Sequence, residues 1–135
     1  MSCPDCGADR VRFIVPPALR EHAPEGADAA ALCPDCLRVD AVDAADAPAP
    51  ADAAFGRVAD GFPTGEAGAA FALAVGKLGS LALERASVEA LLDHAEKCGA
   101  DVLLALDRLA AGADPERAAF DVSRRVEQAE SLLYE

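Results

Sequence analysis

Four of the five cysteines form two Cys-x-x-Cys pairs near the N-terminus, a pattern typical of a metal site. The pairs are Cys3-Pro-Asp-Cys6 and Cys33-Pro-Asp-Cys36, and the 26 residues from 7 to 32 separate them. Zinc prefers four thiolate or imidazole ligands at tetrahedral corners, and a two-residue gap lets one tight turn present two of them. The sequence therefore predicts one zinc ion bound by Cys3, Cys6, Cys33 and Cys36.

Two other interpretations of the cysteine pairs are disulfides and a redox-active dithiol. A reducing compartment disfavours the first, and the chain lacks the βαβ pattern of a thioredoxin-like fold for the second. Four cysteines leave no open coordination position, so we expect a structural ion and not a catalytic one. Gly7 lets the first turn curl towards sulfur, whereas Leu37 stands at the matching position of the second and is expected to lose one N–H contact but not the metal.

The remaining thiol and imidazole groups predict no catalytic machinery. Cys98 stands at the C-terminal end of a predicted helix, where nothing lowers a thiol pKa, and we expect it in the core. His22 could substitute for a zinc ligand, but four cysteines already fill the site, and His94 has no evident partner. We expect both to be solvated. Gly76-Lys77 lacks the other residues of a phosphate-binding loop. We therefore do not expect an enzyme.

Charge is the most unusual bulk property of the chain. Asp and Glu number 24 against 12 Lys and Arg, which gives a formal net charge of -12 at pH 7. On an alanine-rich background with two lysines, this charge is typical of a cytoplasmic protein from a salt-in halophilic archaeon. A merely acidic mesophilic protein is the alternative. The charge opposes nucleic-acid binding in dilute buffer, but in molar salt the Debye length is about 3 Å and the repulsion is screened.

The segments that must position the cysteines predict short strands. Residues 10–15 alternate polar and apolar side chains, residues 29–32 lead into the second pair, and residues 37–40 leave it. Composition then changes at residue 43. The chain is thus expected to be α+β, with a zinc-ribbon β-hairpin unit at 1–42, an Ala-, Pro- and Asp-rich linker at 43–54 and a helical part at 55–135. An ordered strap lying across the other two parts is the alternative to a semi-extended linker.

Amphipathic stretches predict a small antiparallel helical bundle in the third part. The first helix carries the longest apolar run, which is too short and too often interrupted for a membrane span. A helix-turn-helix is the alternative for the second and third helices, but the third offers almost no basic or amide side chains to contact DNA. The helices are expected at about 66–83, from Ser87 to Gly99, from Asp101 to Gly112, and from Asp114-Pro115 onward with a restart at Asp121.

The cysteine pairs and the strands between them resemble the zinc-ribbon fold group, which is widespread in transcription, translation and RNA-modifying proteins. This resemblance covers about the first 40 residues and implies only the four cysteine ligands. The whole layout is similar to an uncharacterised family of small haloarchaeal proteins, which implies no catalytic residue. The segments that carry this second resemblance are Val15-Pro16, Cys33-Pro-Asp-Cys-Leu37, Phe62-Pro63, Leu78-Gly-Ser-Leu-Ala-Leu-Glu-Arg85 and Leu106-Asp-Arg-Leu109.

These observations lead us to expect a cytoplasmic, non-enzymatic interaction or adaptor module with one structural zinc ion. Its expected partner is a protein, with no membrane involved. The alternative is a nucleic-acid-associated regulator of transcription or translation that uses the ribbon under high salt. Basic side chains gathered on one strand face, from Arg10, Arg12, Arg20 and Arg38, would favour this alternative, although acidic neighbours dilute them.

Overall fold

The described part of the chain, residues 9–133 of a computed structural model, begins with a three-stranded antiparallel sheet. Strand β1 is Val11–Ile14, β2 is Ala29–Leu32 and β3 is Val39–Ala41, in the order β1-β2-β3. Leu32 lies opposite Val11 on one side and Val39 on the other. The three predicted strands are confirmed, and β2 has the predicted bounds.

Within residues 9–133, four α-helices follow the sheet: α1 at Gly65–Lys77, α2 at Leu81–Lys97, α3 at Val102–Gly112 and α4 at Val122–Leu133. Asp101 caps α3 as predicted, because its Oδ1 accepts the Leu104 N–H at 3.1 Å. The mixed α+β class and the helical content of residues 55–133 are thus confirmed.

Two predicted helix starts are wrong. A 3₁₀ turn at Leu78–Ser80 ends the first helix early, and α2 begins at Leu81 and bends at Glu84 instead of starting at Ser87. Asp114 caps only a turn, in which its Oδ1 accepts the Glu116 N–H at 2.9 Å. The predicted restart at Asp121 is confirmed, since Asp121 directly precedes α4 and its Oδ1 accepts the Arg124 N–H at 3.2 Å.

Helix α1 forms the centre of the core. Residues 67–75 are all buried, since small side chains on every face of the helix allow neighbours to approach closely. A Cβ added at Gly68 would lie 2.5 Å from the Pro63 carbonyl oxygen, and one at Gly76 would lie 2.5 Å from Val39 Cγ2. These two glycines bring α1 into direct contact with the segment before it and with β3.

The helical run Gly65–Lys97, which joins α1 and α2, is long and apolar enough to cross a membrane by length and composition alone. However, 61% of its most apolar stretch is buried inside the protein. The central helix of a protein core meets the same criteria, and we interpret the run as such a helix.

Residues 43–54 lie against the sheet and α1 as a series of 3₁₀ turns and extended segments. The Ile14 N–H donates to the Pro48 carbonyl at 2.8 Å. Just beyond them, the Phe55 ring lies 5.3 Å from Phe13 of β1 and 5.5 Å from Phe62, which in turn lies 5.0 Å from Phe71 of α1. This row of rings joins the sheet and the helices in one hydrophobic core.

Candidate metal centre

The second cysteine pair lies in a tight, buried turn between β2 and β3. Cys33 follows β2 directly and is fully buried, and Cys36 is 3% exposed. The Cys36 N–H donates to Cys33 Sγ at 3.4 Å, while the Cys33 N–H donates to the Arg38 carbonyl at 3.0 Å. An N–H aimed at sulfur stabilises the thiolate form, which is the form that binds metal.

Leu37 closes this turn in a backbone conformation that usually requires glycine. Its φ is +64°, and its N–H donates to the Cys33 carbonyl at 3.0 Å. A left-handed conformation costs a residue with a Cβ about 1–2 kcal/mol. The Leu37 side chain is only 2% exposed, so burial of its apolar surface offsets this cost. The turn therefore has the backbone geometry typical of glycine, although Leu37 stands where the first cysteine pair has Gly7.

The connection between α3 and α4 is attached to the same turn by two bonds. Arg117 Nη1 donates to Asp35 Oδ2 at 2.7 Å, and the Ala119 N–H donates to the Cys36 carbonyl at 2.9 Å. Next to this attachment lies a groove of about 570 Å³ lined by Ala110, Ala113, Pro115, Ala118, Ala119, Phe120, Asp121, Val122 and Ser123. The shape of the Cys33–Cys36 turn and the position of the groove wall are thus linked.

Cys3 and Cys6, the other predicted ligands, lie outside the described residues. The sheet nevertheless fixes where their segment joins the fold. Because Val11 pairs with Leu32, the chain enters β1 beside Cys33. Asp9 is held there by Arg57, whose Nη2 donates to the Asp9 carbonyl at 3.1 Å and whose Nη1 lies 3.7 Å from Asp9 Oδ2. The described chain therefore starts at the end of the sheet that carries the cysteine turn.

His22 is not solvated as expected. Its side chain is 18% exposed, and its Nδ1 lies 2.6 Å from the hydroxyl of Ser87 in α2. The Ser87 hydroxyl, which looks like a helix cap in the sequence, instead ties the 3₁₀ turn Pro17–His22 to the middle of α2. This contact joins the segment between β1 and β2 to helix α2.

Cys98 and His94 also differ from expectation. Cys98 is exposed and not part of the core, and its Sγ lies 3.7 Å from Glu66 Oε2. His94 has a partner, since its Nε2 lies 2.6 Å from the same carboxylate oxygen. Partial desolvation, followed by the charge of Glu66, raises the pKa of the Cys98 thiol. No local sequence pattern indicates this cluster, because Glu66 is 28 residues from His94.

The described residues define an α+β protein in which a three-stranded antiparallel sheet packs on helices and carries a buried Cys-x-x-Cys turn at one end. Residues 2–133 match a family described as "Family of unknown function (DUF6276)", and the chain belongs to that family. The predicted membership of an uncharacterised family is confirmed at this level. No curated protein and no solved structure matches the chain.

Proposed function

We propose that residues 1–42 form a zinc ribbon in which Cys3, Cys6, Cys33 and Cys36 hold one structural Zn²⁺. The buried Cys33–Cys36 turn, with its N–H to sulfur bond, is the observation that carries this proposal. The chain then acts as a non-enzymatic interaction module in the cytoplasm of a salt-in haloarchaeon. Its charge of -12 supports that setting.

The residues present fit a zinc ion. Two buried sulfurs three residues apart supply half of a tetrahedral thiolate site, and N–H donors to sulfur offset the negative charge that thiolates bring. Cys6 precedes Asp9 by three residues, a reach of at most about 11 Å, and Asp9 lies at the end of the sheet near Cys33. The first cysteine pair is therefore close enough in sequence to complete the site. With four thiolates bound, the ion keeps no position for a substrate.

The role of the ion follows from what is attached to the turn. An ion that fixes Cys33 and Cys36 also fixes Asp35 and the Cys36 carbonyl, which hold Arg117 and Ala119 of the connection between α3 and α4. That connection forms one wall of the alanine- and phenylalanine-lined groove. Exposed apolar grooves of this kind mark interaction sites for apolar protein segments. Zinc binding and partner binding are thus coupled.

Two of the four ribbon arginines, Arg10 and Arg20, lie beside carboxylates and so do not favour the nucleic-acid alternative. Arg10 is 8% exposed and lies 3.5 Å from Asp40, and Arg20 lies 3.6 Å from Asp28. Guanidinium groups held by carboxylates in this way are poor phosphate ligands, because a phosphate would have to displace the carboxylate. The pull-down described next distinguishes nucleic-acid association from protein binding by its sensitivity to nuclease.

The test is a pull-down with the tagged full chain in molar KCl, with and without nuclease, with mass spectrometry of the proteins that co-elute. Ala119→Arg places a charge in the groove at an exposed position, and Ala90→Arg makes the same change on the exposed face of α2. We expect a defined protein partner that survives nuclease, is retained by Ala90→Arg, and is lost by Ala119→Arg and Cys33→Ser. Ala119→Arg should keep its zinc.

Two results would overturn parts of this proposal separately. Recovery of ribosomal or transcription components that disappears with nuclease would replace the adaptor role with the nucleic-acid role. An unchanged metal content in Cys33→Ser would remove the zinc assignment, whatever the pull-down shows.

A further inference from the structure

Three side chains with different metal-ligating atoms meet on the surface between α1 and α2, and none of them belongs to the four-cysteine site. The His94 nitrogen, the Cys98 sulfur and a Glu66 carboxylate oxygen lie within 4.8 Å of one another. Glu66 Oε2 is shared, at 2.6 Å from His94 Nε2 and 3.7 Å from Cys98 Sγ.

The helices fix this arrangement. His94 lies in the last turn of α2 and Cys98 is the C-cap that directly follows it, four residues later, a spacing that puts the two side chains on the same side of the helix end. Glu66 is the second residue of α1, where the positive end of the helix dipole favours its carboxylate. The C-terminal end of α2 is the negative end of its own dipole and favours a cation. The α2 dipole therefore suits a cation held between the three side chains, while the α1 dipole favours the ionised form of the Glu66 ligand.

One of the ligand distances already fits a small tetrahedral ion, and a second needs a small side-chain movement. For Zn–S near 2.3 Å and Zn–O near 2.1 Å, tetrahedral geometry separates sulfur from oxygen by roughly 3.6 Å, which agrees with the observed 3.7 Å. The corresponding nitrogen to oxygen separation is roughly 3.4 Å, so Glu66 and His94 must move apart by roughly 0.8 Å. Glu66 is 50% exposed, and rotation of its side chain supplies such a movement.

We propose that Glu66, His94 and Cys98 form a second zinc site, with water as the fourth ligand. Thiolate, imidazole and carboxylate together are a ligand set that Zn²⁺ accepts, and three protein ligands leave the open position that four cysteines do not. Glu66 and Cys98 are exposed, so ions and water exchange freely at this site. Lys97, the residue before Cys98, is held by Asp93 at 2.8 Å and does not compete for the Glu66 carboxylate.

The site differs from a plain ion pair in a measurable way. A histidine and glutamate pair alone ties α1 to α2 and has no use for the Cys98 sulfur. A zinc site needs all three side chains. Zinc bound at this site must also be distinguished from cations that the acidic surface attracts without direct coordination, because the chain has a net charge of -12. Molar KCl screens that loose attraction and leaves direct coordination in place.

The experiment is a Zn²⁺ titration by calorimetry of the full chain in molar KCl, after it has been loaded with one equivalent of Zn²⁺. We expect a second binding event that Cys98→Ser and His94→Ala abolish and that Glu66→Gln weakens at least about tenfold. Glu96→Gln, the same change on an exposed neighbouring residue, should leave it unchanged. Circular dichroism confirms that each variant is folded. Co²⁺ added as the second equivalent, to the chain already loaded with one Zn²⁺, should give a thiolate charge-transfer band that Cys98→Ser removes.

Three results would overturn this proposal: no second event in the wild type, a second event unaffected by Cys98→Ser, or equal losses in Glu66→Gln and Glu96→Gln. The outcome is independent of the proposed ribbon. If the four cysteines bound no zinc, the event at this site would be the first and would still depend on Cys98 and not on Cys33.

Discussion

Gly76→Ala tests the direct packing of α1 on the sheet. A Cβ at residue 76 would lie 2.5 Å from Val39 Cγ2 and 2.6 Å from Val39 Cβ. Rotation of the valine side chain moves Cγ2 but not Cβ, which is fixed to the backbone of β3. The new methyl group therefore fits only if β3 and α1 move apart.

The size of the effect follows from two opposing terms. Non-bonded carbon atoms pack at about 3.5–4.0 Å, so the strand and helix must separate by roughly 1 Å. Overpacking of this kind costs about 1–3 kcal/mol, while replacing a helical glycine with alanine gains up to about 1 kcal/mol. The free energy of unfolding should thus fall by about 1–2 kcal/mol, which lowers the Tm by roughly 3–10 °C in a chain of this size.

The assay is thermal unfolding followed by circular dichroism at helical wavelengths, in molar KCl with one equivalent of zinc. Gly112→Ala is the matched control, because Gly112 is likewise a helical glycine, in α3, but a Cβ added there meets nothing within 4 Å. Its Tm should be equal to or slightly above that of the wild type. If Gly76→Ala proved as stable as Gly112→Ala, the close contact between β3 and α1 would be refuted.

Two further predictions concern single side chains. Leu37→Gly relieves left-handed strain of about 1–2 kcal/mol but removes a buried leucine side chain, which costs about 2–5 kcal/mol. Chemical denaturation should therefore show a free energy of unfolding lower by roughly 1–3 kcal/mol. A more stable variant would show that strain outweighs burial at Leu37. Partial burial and then the Asp107 carboxylate raise the pKa of Glu130 above its ordinary 4.5, so its ionised form destabilises the folded state at neutral pH. Glu130→Gln should therefore have a higher Tm than the wild type at pH 7, and the difference should vanish as the pH falls through the raised pKa to below 4.5; a difference that persists at low pH would exclude this cause.

The sequence predicted the elements whose local signals agree with the fold. Strand β2 was placed correctly because residues 29–32 are apolar and end at the cysteine turn. The sequence predicts Asp101 as a cap because this polar residue directly precedes an apolar helical stripe. In both cases the residues near the element in sequence are also those that determine it.

The errors arise where a distant partner decides the structure. Ser87 resembles a helix cap, but its hydroxyl pairs with His22, 65 residues away, and the helix continues through it. Asp114-Pro115 resembles a helix start, but the following connection is held by bonds to Asp35 and the Cys36 carbonyl and stays non-helical. A local sequence pattern cannot indicate a hydrogen bond between residues that are far apart in the chain.

The candidate sites divide in the same way. The four-cysteine pattern is local in each half, and the sequence predicted the turn at Cys33 and Cys36 that the fold contains. The cluster at Glu66 was missed, because its members lie on two helices and only their packing brings them together. The helical position of Cys98 predicts a core residue, but Cys98 is exposed, because the exposed face of α2 near its C-terminal end is not evident from sequence.

Elemental analysis of the chain purified without added metal tests the four-cysteine site most directly. The wild type and Cys98→Ser should each carry one zinc per chain, because the exposed site loses its ion during purification, whereas Cys33→Ser should carry almost none. The Cys98→Ser variant is the control, since it removes one thiol from the same chain without touching the proposed ribbon. Zinc retained in full by Cys33→Ser, or absent from the wild type, would contradict the account.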